Sequence, residues 1–413
     1  MKFLHALCLL AVFTLAAQAQ QTLTVSVNNP MKKQRTDAPV VINLAQYGDV
    51  RSALVTSNGV EIPCQLDDID QDDNFDELCF LANLGGKETK QYSITLFSQG
   101  EPRAYQPRVF AEMVMSNSKD KKLKKNQQNN YIESITARGD AAYTYNLQHH
   151  HGVDFESELN GIRIYFDVRQ TLDLYGKFHK RLELKDTQFY TDDEQKAKGY
   201  GDDVLWVGQT FGLGAFRGWD GQQPALVEPV RTRTQRIISY GPLRTIVEVS
   251  VRGWKAPSTN PLAAPLNMKL IYTQYAGHRD TDVDVFFNSD ADSYQFSTGI
   301  INVKGSEEFS DHKGLRACWG TDYPATDTLK WKRETVGLAV LVPRQNIVRE
   351  EPANKDNYAY VIKVSGRHMA YKVTYTSANE TFGYHSAKEW FEYLKGWKKE
   401  VEQPIVVKMR NEK

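Results

Sequence analysis

Between Ile162 and Arg169 the chain alternates without a break. Ile162, Ile164, Phe166 and Val168 fall on one side, and Arg163, Tyr165, Asp167 and Arg169 fall on the other. A helix would scatter these positions around its axis, whereas a strand sends successive side chains to opposite faces. The segment therefore predicts a half-buried strand. Just upstream, His149, His150 and His151 meet Gly152, and Asp154, Glu156 and Glu158 then occupy every second position. Asn160-Gly161 interrupts the run, a step that turns the chain so that the two polar sets share neighbouring strands. Asp173, Tyr175 and Lys177 follow. Such a polar face suits a sugar, whose hydroxyls want paired donors and acceptors and whose ring carbons stack on aromatics. An antiparallel sheet with one face in water accounts for the same spacing.

The 413 residues carry 51 Lys plus Arg against 51 Asp plus Glu, so no global basic field favours nucleic acid or an acidic membrane. Residues 1–19 read as a signal peptide: Lys2, an apolar run from Leu4 to Leu15, and Ala17-Gln18-Ala19 as the cleavage site. Cleavage near Ala19 predicts a periplasmic or secreted protein. No later stretch is apolar for long enough to insert in a bilayer. Cys64, Cys79 and Cys318 lie beyond the leader, too few and too odd in number for a disulfide framework. A Cys64–Cys79 bridge and buried free thiols both fit. No zinc-type Cys/His spacing is present, so neither a metal nor a cofactor is expected.

Residues 20–115 read as an N-terminal β region of short strands, including Thr22 to Val27 and Pro39 to Leu44. Its acidic turn sets Asp68, Asp70, Asp72 and Asp76 at positions 1, 3, 5 and 9 of a calcium-loop template. The template also wants Gly at position 6 and an acid at position 12, where the chain has Asp73 and Cys79, so no essential calcium is expected. Residues 116–130 are polar and lysine-rich, a linker or loop. Residues 131–400 carry many short strands, a glycine- and aromatic-rich stretch from Gly199 to Gly221, and one helix signalled by Ser386 and Glu389 as a capping box. Residues 401–413 read as a tail. A chain dominated by short strands predicts an all-β fold, a large sandwich closed by a C-terminal helix.

The motifs HHHGVDFESEL, GIRIYFD and DLYGK, then GYGDDVLWVG, GLGAFRGWDG and RIISYGPLRTIVEV, resemble a family of exported bacterial proteins known as a domain of unknown function. The resemblance covers roughly residues 25 to 400 and implies polysaccharide-utilisation systems, notably those for uronate-containing, pectin-like glycans. GPLRTIVEV and AGHRDTDVDVFFN are also similar to the β-supersandwich of galactose mutarotases and of the C-terminal parts of several polysaccharide lyases. That resemblance implies the fold and leaves the chemistry open.

Three classes remain. A lyase for an acidic glycan needs a group to neutralise the uronate carboxylate (Arg163 or Lys177), a base (His150 or His151) and a donor to the leaving oxygen (Tyr165 or Tyr175). A hydrolase or mutarotase-like epimerase would rest on Glu156 and Glu158, although residues i and i+2 on a strand lie about 7 Å apart. A non-catalytic glycan binder would use Trp206 and Trp219 as stacking platforms. Asp167, Asp173, Asp202 and Asp203 complete the substrate-binding candidates, the last two on a glycine-flanked loop. Adjacent strand histidines splay, so at least one of the triplet is expected to be structural.

Overall fold

A computed structural model describes residues 20–116 and 123–411; the leader reading (1–19) and part of the lysine-rich stretch (117–122) lie outside the described residues. Strands hold 45% of the chain and helices 8%, so the fold is all-β, in several sheets with one long C-terminal helix. Its backbone is a nine-stranded antiparallel sheet in the order Glu307–Ser310, Leu315–Asp322, Glu334–Leu341, His368–Ser377, Asp280–Phe287, Leu266–Tyr275, Arg244–Trp254, Thr232–Ser239 and Ser134–Arg138. Alternation along these strands sends Val247, Val249, Val251, Leu270, Tyr272, Val283 and Val285 into the main core.

Two five-stranded sheets also line that core. One includes Arg217–Trp219, Phe296–Ile301 and Asn357–Ile362. The other, here the site sheet, has the order Asp202–Asp203, Leu172–Gly176, Gly161–Tyr165, Gly152–Ser157 and Val109–Glu112. The alternation at Ile162 is realised there: Val153, Phe155, Ile162, Ile164, Leu172 and Leu174 all enter the core. The strand ends at Tyr165, however, and Phe166 to Arg169 form a turn.

The first hundred residues make a second core. The strands Val406–Asn411, Gln20–Asn28, Thr89–Phe97, Ser52–Ser57 and Val60–Ile62 form one sheet, and Arg35–Asn43, Glu77–Leu84 and Cys64–Asp67 another, around Val25, Val40, Phe80, Tyr92 and Ile94. Residues read in the sequence as a tail thus include an edge strand on Gln20–Asn28. Cys64, Cys79 and Cys318 are buried free thiols.

Ion pairs bind this unit to the rest. Arg244 bridges Asp67 (2.7 Å) and Glu77 (2.6 Å), and Arg108 bridges Asp37 (2.8 Å) and Glu158 (2.5 Å). In the acidic turn, Asp68 accepts the backbone N–H of Gln71, Asp72 and Asp73, and Asp76 accepts those of Ile69 and Asp70. These carboxylates thus serve the turn itself.

The closing helix runs Ala387–Glu402, with Ser386 Oγ accepting from the Glu389 N–H. It lays Trp390, Leu394 and Trp397 on Leu315, Ala317, Ala339 and Leu341 of the large sheet. Two short helices, Leu184–Thr187 and Asp193–Ala197, escape the sequence reading because four or five residues cannot show a helical period. Trp390 is wholly buried, and Trp390→Ala should lower unfolding free energy by about 3–5 kcal/mol in urea titrations.

Candidate functional site

Antiparallel register lines four ionisable side chains straight across the site sheet. Glu112 pairs with Asp154, Asp154 with Arg163, and Arg163 with Asp173. All four share the face opposite the core, and all four are buried. The polar face is thus roofed over rather than solvated, by Leu184 and Phe189 against Tyr175 and by Phe189 and Tyr190 above Arg163. The roof starts directly after the strand Leu172–Gly176.

At the centre, one Arg163 nitrogen (Nη2) donates to Asp173 (2.7 Å) and Asp203 (3.0 Å), while Tyr165 donates to Asp173 (2.5 Å). Arg163 Nε and Nη1 are buried with no hydrogen-bond partner among the described residues. Burial works against the guanidinium charge, but Tyr165, Asp173 and Asp203 carry its pKa upward on balance. Burial and Asp173 push the Asp203 carboxyl well above its usual range, against the pull of Arg163.

Aromatic rings flank this centre. His151 stacks on Tyr145 (3.8 Å), Tyr165 meets Tyr145 edge-on, and Arg169 lies 4.7 Å from the Tyr165 ring centre. His151 Nδ1 donates to the Tyr145 carbonyl (2.9 Å), which leaves Nε2 as the lone-pair nitrogen. Burial lowers its pKa to about 4, so the ring is neutral at pH 7.

The segments around it are strained. Tyr143, His151, Gln170, Gln188 and Phe189 all adopt left-handed backbone, with φ of 58°, 70°, 46°, 46° and 64°. Each such residue costs on the order of 1–2 kcal/mol, and strain of this kind gathers at functional sites. Gly152 serves the same bend, since a Cβ there would sit 1.7 Å from the Ile164 carbonyl oxygen.

The middle histidine goes elsewhere. His150 donates from Nδ1 to the Gly152 carbonyl (2.8 Å) and turns Nε2 toward Asp154 (3.4 Å) and Glu112 (3.6 Å). Burial lowers the His150 pKa to about 3 and raises that of Glu112 to about 8. Sequence spacing nominates no metal centre, yet these three side chains can hold an ion, their ligand atoms lying within 4.8 Å of one another. Glu112 escaped notice because about forty residues separate it from the motif; only strand pairing brings it there.

The fold therefore assembles Arg163, Tyr165, Asp173, Asp203 and His151, and sets His150 beside them. Other candidates are engaged elsewhere. Glu156 and Lys177 form a fully buried pair (2.5 Å), with Glu156 also accepting the Glu183 and Leu184 N–H groups and so anchoring the roof. Glu158 lies past its strand in the Arg108 bridge. Tyr175 donates to the Gly201 carbonyl, Asp202 pairs with Lys196, and Asp167 pairs with Arg169. Trp206 is 54% exposed, whereas Trp219 is buried under Arg349. Tyr145, Phe189 and Tyr190 belong to the centre without having been singled out, because isolated aromatics in loops carry no periodic signal.

Fold and site together define an all-β sandwich protein with a roofed, charge-lined sheet face. The chain belongs to the family described as a domain of unknown function (DUF4861), which matches residues 27–407. No curated protein matches its sequence. Among solved structures, a protein in the glycosyl hydrolase family 38 from Enterococcus faecalis overlays with a TM-score of 0.49 at 9% identity, covering 94% of this chain and 47% of that one. An alpha-mannosidase from Enterococcus faecalis V583 gives the same TM-score and identity, with 94% and 46% covered. The chain spans about half the length of these two structures.

Lys177→Met should destabilise the protein by about 3–5 kcal/mol in urea titrations, because it strands the Glu156 charge in the interior. The double variant Glu156→Gln/Lys177→Met should recover most of that loss.

Proposed function

We propose that this protein is exported and acts on an acidic, uronate-containing glycan or oligosaccharide held at Arg163. The observation that carries this reading is the pair of buried Arg163 donors, Nε and Nη1, which lie among aromatic rings without a hydrogen-bond acceptor among the described residues. A planar guanidinium fork matches a carboxylate, and the half-buried Tyr145 and His151 rings offer a sugar a stacking surface. The alanine-bounded leader pattern of residues 1–19 supports export to the periplasm or beyond.

The reaction this arrangement favours is β-elimination. Arg163 neutralises the uronate carboxylate and so acidifies the α-proton. His151, neutral and with its Nδ1–H tied to a carbonyl, accepts that proton at Nε2. Tyr165, whose pKa burial raises, stays protonated and turns its O–H from Asp173 to the leaving oxygen. A second reading has its own observation: Asp173 and Asp203 share one Arg163 nitrogen, and burial with the Asp173 charge pushes the Asp203 carboxyl well above its usual range, the kind of unequal carboxylate pair that glycoside hydrolysis uses.

Product analysis separates the two. Incubation with uronate-containing oligosaccharides should give ultraviolet-absorbing unsaturated uronate, with Tyr165→Phe lowering turnover about 100-fold in a chain that still folds. Reducing ends without that absorbance would favour the carboxylate pair. The reading is overturned if no product of either kind forms and calorimetry detects no binding.

A further inference from the structure

Glu112 and Asp154 face one another across adjacent antiparallel strands, both inaccessible to solvent, and none of their four carboxylate oxygens has a hydrogen-bond partner among the described residues. Like charges directly opposite on a sheet repel, and each buried carboxylate needs a counter-charge or a proton. Arg163 is the cross-strand neighbour of Asp154, but its only hydrogen-bonding nitrogen goes to Tyr165, Asp173 and Asp203. Arg163 thus acts on Asp154 only at a distance, and no described donor reaches the four carboxylate oxygens.

His150 indicates its nature. With Nδ1–H held by the Gly152 carbonyl, the ring directs an Nε2 lone pair at the two acids. This is the arrangement that orients metal-binding histidines, the second nitrogen being fixed by a backbone carbonyl. A proton shared between a carboxyl and Nε2 would draw the heavy atoms to about 2.6–2.9 Å, shorter than the observed 3.4 and 3.6 Å. Donor atoms each bound at about 2.0–2.2 Å to one cation lie about 3.3–3.6 Å apart at tetrahedral angles, which the two His150 Nε2 distances match. A divalent ion also cancels the two carboxylate charges, leaving a neutral cluster in the interior.

We propose that Glu112, His150 and Asp154 form a buried divalent-cation site of the zinc or manganese type, one residue along the cross-strand row from Arg163. The imidazole selects against calcium and magnesium, which prefer all-oxygen ligands. The ion ties the strand Val109–Glu112 to Gly152–Ser157 and locks the turn that presents His151. The site stands independently of the glycan reading. The acidic turn is a different case, since its Asp68 and Asp76 carboxylates are occupied by backbone N–H groups of the turn.

The test uses the full chain, stripped with a chelator and then titrated separately with Zn²⁺, Mn²⁺, Ca²⁺ and Mg²⁺. Metal content by mass spectrometry and melting temperature are the readouts. Zinc or manganese should bind at one equivalent per chain and raise the melting temperature. Glu112→Gln and Asp154→Asn should each weaken binding by at least about 100-fold, beyond the loss typical of a supporting group. Asp70→Ala should leave stoichiometry unchanged. Should either isosteric variant fail to fold, uptake and stabilisation in the wild-type chain and in Asp70→Ala still decide. The proposal is overturned if the wild-type chain takes up neither metal and its melting temperature does not move. It is equally overturned if uptake vanishes in Asp70→Ala and survives in Glu112→Gln.

Discussion

The row Glu112–Asp154–Arg163–Asp173 is the constraint on which the site depends. Four ionisable groups beneath a roof cost far more than the apolar residues a sheet face could carry instead. Asp173, Asp203 and Tyr165 satisfy one end of the Arg163 fork, and its other nitrogens have no hydrogen-bond partner among the described residues. A structural ion-pair network closes on itself. Among the described residues this one does not.

The roof depends on a network that is complete. Lys177 gives its three hydrogen bonds to Glu156, the Ser157 carbonyl and the Arg181 carbonyl, while Glu156 takes two backbone N–H groups at the start of Leu184–Thr187. With every partner in place, this pair can hold the covering chain at one height above Arg163. Arg181 continues the same chain of contacts, to Glu183 and the Gly199 carbonyl, and Glu183 accepts the Gly201 N–H. The glycine-flanked loop that delivers Asp203 is therefore braced by residues that never touch Arg163. Satisfied charge supports unsatisfied charge, which is how a preorganised site is built.

Among the histidines, neighbours in sequence diverge in space. His151 turns into the aromatic cluster at a left-handed backbone, and His150 turns toward Glu112 and Asp154. Their adjacency in sequence predicts a splay, although they lie in a turn ahead of the strand Gly152–Ser157 and not on it. It does not predict the destinations, because those lie on other strands and in the loop holding Tyr145.

The sequence by itself determined the face. Strict alternation from Ile162 to Tyr165, and again at Asp154 and Glu156, can satisfy the hydrophobic effect in only one way: aliphatic side chains enter the core and the charges take the reverse side. It also determined the closing helix, since a serine cap and an aromatic stripe are local signals. Tertiary structure alone decided which charges meet. Glu156 with Lys177 and Asp154 with Arg163 are both acid–base couples, yet the first two form a closed pair and the last two belong to an open row. Cross-strand register and the covering segment make that difference, and register is a relation between distant parts of the chain.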